Sequence, residues 1–196
     1  MVKGWQLLVH IYRRWRNVVF GSQCRLNLRL FCTPKTPARD TLDVWPALPL
    51  IIMGDMVEAL SGTDNIIAAL GQSSRVCKLY LSGLATWELE EVLAPTQVPF
   101  PELTHLELAL KGETVPVIPD SFLDRSAPSL RSFPLNGIPF PGVPKLLLSA
   151  THLVTLLLFN VPHSGYISPE TMVAPLGALS SLELLHLWIR IPSISP

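Results

Sequence analysis

One short apolar pattern returns five times between residues 76 and 187 of this 196-residue chain. In each copy, two residues separate the first apolar position from the second, and one residue separates the second from the third. The copies start at positions 76, 103, 130, 153 and 182, so their residue numbers differ by 27, 27, 23 and 29 in turn. The apolar positions are Val76, Leu79 and Leu81; Leu103, Leu106 and Leu108; Leu130, Phe133 and Leu135; Leu153, Leu156 and Leu158; and Leu182, Leu185 and Leu187.

A unit of this length is too small to bury its own apolar face. The alternation at the end of each copy is typical of a β-strand, whose successive side chains point to opposite sides. Each unit must therefore pack against its neighbours, and the core becomes continuous along the array. The pattern predicts short strands in units that stack along the chain.

This pattern and its spacing resemble the leucine-rich repeat. The resemblance implies an α/β fold, namely a solenoid in which short strands form a curved parallel sheet and alternate with helical or irregular returns. Asn136 and Asn160 lie where this family places an asparagine that hydrogen-bonds backbone groups in the turn after the strand. The strand residues between the leucine positions would point to the concave side, where they are free to meet a partner.

The repeat register assigns candidate partner-binding residues to this concave face. They are polar in the first two copies and largely apolar in the last two: Lys78, Tyr80, His105 and Glu107; Leu157, Phe159, Leu184, His186 and Trp188. An exposed apolar cluster of this size is typical of an interaction surface or of a surface that further structure covers. The sequence leaves both interpretations open. Pro134 has no amide hydrogen, so we expect the sheet to be weakest in the third copy.

The stretch 1–20 predicts one helix, because apolar residues recur at three- and four-residue spacing between Gly4 and Gly21. Within it, the string IYRRWRNVVF at residues 11–20 resembles the last helix of the F-box in fungal proteins that join an F-box to leucine-rich repeats. Residues 25–52 resemble the linker of the same proteins. We therefore expect an F-box-like remnant helix at 1–20, a linker with degenerate repeats at 21–75 and leucine-rich repeats at 76–196.

That resemblance implies the substrate-recognition subunit of a Skp–cullin–F-box ubiquitin ligase, in which the F-box binds the Skp adaptor and the repeats bind the protein to be ubiquitinated. Met1 lies only fourteen residues before Trp15, so we expect an F-box truncated at its N-terminus. Trp5, Ile11 and Trp15 are the candidate adaptor-binding residues. The alternative is a stand-alone leucine-rich-repeat interaction protein, or a truncated paralogue, that does not bind the adaptor.

The composition of the chain limits the classes of protein and the cellular compartments to which it can belong. Charged residues make up 15% of the chain and hydrophobic residues 48%, which excludes general disorder. The chain has 15 basic residues, of which eight fall in the acid-free stretch 1–39, so this start also resembles a transit peptide in composition. Three widely spaced cysteines, Cys24, Cys32 and Cys77, suit a reducing compartment, and we expect the cytoplasm or nucleus. The apolar run 146–161 is too short to span a membrane.

No catalytic, cofactor-binding or metal-binding motif stands out. The glycine-rich phosphate loops, the GxSxG element and the HExxH element are all missing from the sequence. His105, Glu107 and His186 share the predicted concave face but come from distant strands, too far apart to hold one metal ion. Arg13 and Arg14 carry charge without a motif that reads nucleic acid. We expect a protein-binding scaffold rather than an enzyme, with an unknown protein target and no cofactor, metal, nucleic acid or membrane partner.

Overall fold

The computed structural model describes residues 27–55, 62–110 and 116–189. Within these ranges the chain forms seven strands: β1 (Leu28–Phe31), β2 (Leu50–Asp55), β3 (Val76–Leu84), β4 (His105–Leu110), β5 (Ser132–Asn136), β6 (Thr155–Val161) and β7 (Leu184–Ile189). The α-helices of these ranges are α1 (Ala38–Val44), α2 (Thr63–Leu70), α3 (Thr86–Leu93), α4 (Val143–Leu147) and α5 (Pro169–Ala178). The helix predicted for residues 1–20, and with it the F-box-like remnant, lies outside the described residues.

All seven strands form one sheet in the order of the sequence, and every neighbouring pair is parallel. Lys78 pairs with His105, His105 with Ser132, Ser132 with Thr155 and Thr155 with Leu184. The residue numbers of these partners differ by 27, 27, 23 and 29, as do the starts of the copies in the sequence. The predicted α/β fold with a parallel sheet and helical returns is therefore confirmed.

The predicted linker contributes β1 and β2 to the same sheet. Arg29 pairs with Ile51, and Ile51 pairs with Lys78, which adds two more units in front of the first clear copy. Gly54 occupies a strand position that holds leucine in later units. A Cβ atom on Gly54 would lie 2.7 Å from Cδ1 of Ile66 in α2. Ile66 therefore fills the space that a leucine side chain fills in the later units, and this unit has glycine at the leucine position.

One continuous core lies between the sheet and the return segments. Alternate strand residues point into it, and apolar residues of the helices join them. Leu79, Leu106, Phe133 and Leu156 occupy matching positions on four successive strands and are fully buried. Burying each such side chain contributes about 1.5–3 kcal/mol. The core therefore joins every described unit to its neighbours, as expected for units that cannot bury their apolar face alone.

Polar side chains make hydrogen bonds at or just beyond the ends of several strands. Glu88 of α3 is buried, and its Oε2 accepts a hydrogen bond from the backbone N–H of Ala85 over 2.7 Å. Asn160 follows Phe159 of β6 with a positive φ of 50°, and its Nδ2 donates to Oδ1 of Asn136 over 2.8 Å. The two asparagines that resemble turn residues of the repeat family thus hydrogen-bond to each other and link neighbouring units.

Candidate interaction surface

The strand side chains that point away from the core form a surface that we call the open face. Because side chains alternate along a strand, every second residue belongs to it. The register aligns one row of this face across the sheet: Arg29, Ile51, Lys78, His105, Ser132, Thr155 and Leu184. A second row lies two residues further along the strands: Phe31, Met53, Tyr80, Glu107, Pro134, Leu157 and His186.

The candidate partner-binding residues all lie on the open face, but in two groups with β5 between them. The polar group is Lys78 and Tyr80 on β3 with His105 and Glu107 on β4. The apolar group is Leu157 and Phe159 on β6 with Leu184, His186 and Trp188 on β7. The candidate adaptor-binding residues Trp5, Ile11 and Trp15 lie outside the described residues.

His105 is the centre of the polar group. Its ring lies 4.6 Å from the ring of Tyr80, measured between centroids, and its Nε2 lies 3.6 Å from Oε2 of Glu107. At that distance no hydrogen bond forms, and this buried nitrogen has no hydrogen-bond partner in the described part of the chain. Burial lowers the pKa of His105 and nearby Lys78 acts in the same direction, whereas Glu107 opposes them. Burial therefore favours the neutral form of the imidazole.

Arg29 belongs electrostatically to the same group. Burial raises the pKa of the Tyr80 hydroxyl, the charge of Glu107 raises it further, and the charge of Arg29 lowers it. Arg29 is exposed and Lys78 is half-buried. Within the described ranges, neither cation forms a salt bridge with an acidic side chain. The β1–β4 half of the open face thus presents two cations that have no acidic partner among these residues.

The apolar group is connected by ring contacts. The rings of Phe159 and His186 lie 4.7 Å apart, and those of His186 and Trp188 are stacked at 6.4 Å. Leu184 is 51% exposed and Trp188 is 60% exposed, whereas Leu157 and Phe159 are half-buried. The predicted apolar cluster therefore presents part of its surface to solvent.

The repeat pattern was wrong about two core positions in the last unit. It places Leu185 and Leu187 in the core, but these side chains are 42% and 46% exposed. The reason is that β7 is the edge strand of the described sheet, so no further described unit covers them. The exposed apolar surface consequently continues from the open face around the edge of the sheet.

A small apolar cavity lies beside this edge, between the last two strands and the return that contains α5. Its volume is about 50 Å³, and its lining includes Leu158, Val161, Tyr166, Met172 and Leu187. Small-molecule sites usually measure about 300–1,000 Å³. The cavity is too small for such a ligand, so it extends the apolar surface rather than forming a separate pocket.

The repeat pattern did not assign any residue of β1 or β2 to the open face. Arg29 and Phe31 on β1 are exposed, Met53 on β2 is half-buried, and Ile51 is buried. The alternation of basic or polar residues with leucines at residues 25–31 is typical of a half-buried strand, but it gives no register with the later copies. Only the pairing of Arg29 with Ile51 and of Ile51 with Lys78 places these residues in the same row.

The side chains that bind metals or act as nucleophiles are characterised by their positions and by the pKa of the thiols. Across the described ranges, no group of three or more His, Cys, Asp or Glu side chains could hold a metal ion. Burial raises the pKa of the Cys32 thiol to about 12, and burial also raises the pKa of Cys77. Both shifts favour the protonated thiol over the reactive thiolate. No helix in the described part of the chain is long and apolar enough to cross a membrane.

Comparisons of the chain with known protein families, with curated proteins and with solved structures found no match. The likeness to leucine-rich repeats and to the F-box therefore rests on the residues of this chain.

Proposed function

We propose that this chain is a leucine-rich-repeat solenoid that binds a protein target on its open face. The observation that carries the proposal is the register, in which each strand pairs in parallel with the next unit while the described helices share a core with the other face. Parallel sheets are normally covered on both faces. A parallel sheet that leaves Leu184 and Trp188 more than half exposed on one face supports the presence of a partner there.

The dimensions of the open face favour a protein over a small molecule. Neighbouring strands lie about 4.8 Å apart, so seven strands extend over about 29 Å. A surface of this width matches a protein contact, whereas small ligands are held in enclosed pockets. The side chains available on it include Tyr80, Trp188 and Arg29, and these three residue types are enriched where interfaces gain most of their binding energy.

The resemblance of residues 11–20 and 25–52 supports a more specific role. On this proposal the chain is the substrate-recognition subunit of a Skp–cullin–F-box ubiquitin ligase, and its open face selects the protein to be ubiquitinated. The F-box part of the resemblance falls on residues outside the described ranges, so its support comes from the sequence. The alternative role is a stand-alone repeat protein that uses the same face without an adaptor.

Affinity purification with quantitative mass spectrometry tests the binding face. The full chain is compared with a Leu157→Glu/Leu184→Glu double variant and with Leu148→Glu. Leu148 is 55% exposed at the end of α4, away from the open face, and is the matched control. We expect one reproducible set of partners that the double variant loses and the control keeps, with circular dichroism showing that all three remain folded. Equal binding by all three proteins would contradict the proposal.

Co-purification with the Skp adaptor of the same organism separates the two roles. The full chain is compared with a Trp5→Ala/Ile11→Ala/Trp15→Ala variant on a sizing column. A complex that only the unmodified chain forms supports the ligase subunit. If the unmodified chain elutes without the adaptor, the ligase role is wrong and the stand-alone role stands.

A further inference from the structure

We infer that the target of the open face is a protein segment that carries an acidic side chain and, about 14–19 Å away, a bulky apolar side chain. This inference rests on the proposed use of the open face. It adds the chemistry and the spacing of the partner.

The acidic side chain of the partner is inferred from charge complementarity with two cations of the open face. Arg29 and Lys78 lie in one row of the open face, two strands apart, with Ile51 between them. Neither cation has an acidic salt-bridge partner in the described part of the chain. A carboxylate that contacts Lys78 on the side facing Ile51 would pair with this cation and lie within about 10 Å of Arg29, so both positive charges favour it. Such charge-assisted contacts are stronger than neutral ones.

Glu107 fixes the side of the face on which the acid must lie. It stands on β4, one strand beyond Lys78, and pairs in register with Tyr80. A second carboxylate near Glu107 would be repelled. The acidic group of a partner is therefore directed towards β1–β3, and there towards the row of Arg29 and Lys78, because the register places Asp55 four residues beyond Ile51 on β2.

The bulky apolar side chain of the partner is inferred from the apolar group of the open face. Leu157, Leu184 and Trp188 lie on β6 and β7, which are three and four strands from Lys78 on β3. Three or four strand spacings correspond to about 14–19 Å. An extended peptide rises about 3.3 Å per residue, so an acid and an apolar residue about four to six positions apart would reach both groups. A nucleic acid does not fit this pattern, because Glu107 would face its phosphates.

Selection from a random dodecamer peptide library displayed on phage tests the inference. The baits are the immobilised full chain, its Lys78→Glu variant and its Lys145→Glu variant. Lys145 lies on α4 in an exposed salt bridge with Asp120, so it provides the same charge reversal away from the open face. Exposed salt bridges contribute little to stability. The unmodified chain should select peptides with Asp or Glu four to six positions from Trp, Phe or Leu. These peptides should bind the Lys78→Glu variant about tenfold more weakly and the Lys145→Glu variant equally well.

A charge swap gives the most specific outcome. Changing the acid of a selected peptide to lysine should restore binding to the Lys78→Glu variant and weaken binding to the unmodified chain. Absence of acid enrichment, or equal effects of the two charge reversals, would overturn the inference. If binding then still depends on Leu157 and Leu184, the open face remains the binding site and only the acidic half is wrong. If no open-face variant alters peptide binding, the proposed function falls as well.

Discussion

Nε2 of His105 lies 3.6 Å from Oε2 of Glu107 on the open face of β4, too far for a hydrogen bond, while the imidazole packs against the ring of Tyr80. Burial is the main reason that the pKa of His105 lies below its ordinary value in the folded chain. The folded state therefore takes up the proton less readily than the unfolded state does. The stability that depends on neutral His105 is fully present above pH of about 6.5 and is lost as the pH falls through the lowered pKa.

We expect the free energy of unfolding of the full chain to fall between pH 7.5 and pH 5, and His105→Phe to reduce that fall. Phenylalanine keeps the ring contact with Tyr80 and cannot be protonated. Urea unfolding at several pH values measures the effect, and His152→Gln, a change at an exposed turn residue, is the control. An unchanged pH dependence in His105→Phe, or an equal reduction in the control, would show that another group is responsible.

Two glycines should respond in opposite ways to alanine. A Cβ on Gly165 would lie 2.6 Å from Cα of Pro139 in the preceding return segment, so the backbone must move. We expect Gly165→Ala to destabilise the chain by about 1–3 kcal/mol. A Cβ on Gly177 in α5 would meet no described atom within 4 Å, so Gly177→Ala should stabilise by about 0.5–1 kcal/mol. Thermal unfolding of both variants checks the pair, and a loss of stability in Gly177→Ala would contradict this packing.

Glu88 should contribute more to the free energy of unfolding than the other acidic residues of α3. Its buried carboxylate accepts the backbone N–H of Ala85, and Glu88→Ala leaves that donor without its partner. We expect a loss of about 1–3 kcal/mol in the free energy of unfolding. Glu91→Ala, at an exposed position of the same helix, should change stability by less than about 0.5 kcal/mol. Similar losses in the two variants would mean that the contact with Ala85 is unimportant.

Gly54 and Ile66 should show strong coupling. Gly54→Val alone crowds Cδ1 of Ile66, while Ile66→Ala alone opens a cavity and should cost about 2–5 kcal/mol. In the double variant the new valine occupies the space that Ile66 leaves. We therefore expect the double variant to be more stable than the sum of the single effects by about 0.5–3 kcal/mol. A double-mutant cycle by urea unfolding measures this coupling, and additive effects would show that Gly54 does not occupy the leucine position of its unit.

The parallel sheet and its register could be predicted from the sequence wherever leucine marks the strand. Lys78, His105, Thr155 and Leu184 share one row because the spacing of the copies equals the offset between strands. The first two units could not be registered in this way, since at Gly54 the core is filled by Ile66 from a helix. The position of these two units depends on tertiary packing, which produces no periodic pattern in the sequence.

The candidate surface was predictable as a face, but not as two separate groups. The alternation of strand residues assigned Tyr80, Glu107 and Leu157 to one side of the sheet. The position of Arg29 on that side follows only from the pairing of β1 with β2. The exposure of Leu185 and Leu187 also escaped prediction. A repeat pattern describes a unit that has neighbours on both sides. It contains no information that β7 is the edge strand of the described sheet.

Site-specific photo-crosslinking tests the central claim most directly. A photoreactive phenylalanine analogue replaces Leu157 on the open face in one version of the full chain and Leu148 at the end of α4 in another. Both are irradiated in cells of the source organism, and the adducts are identified by mass spectrometry. The account predicts a defined protein adduct from position 157 and none from position 148. An adduct from position 148 alone, or no adduct from either position, would contradict binding on the open face.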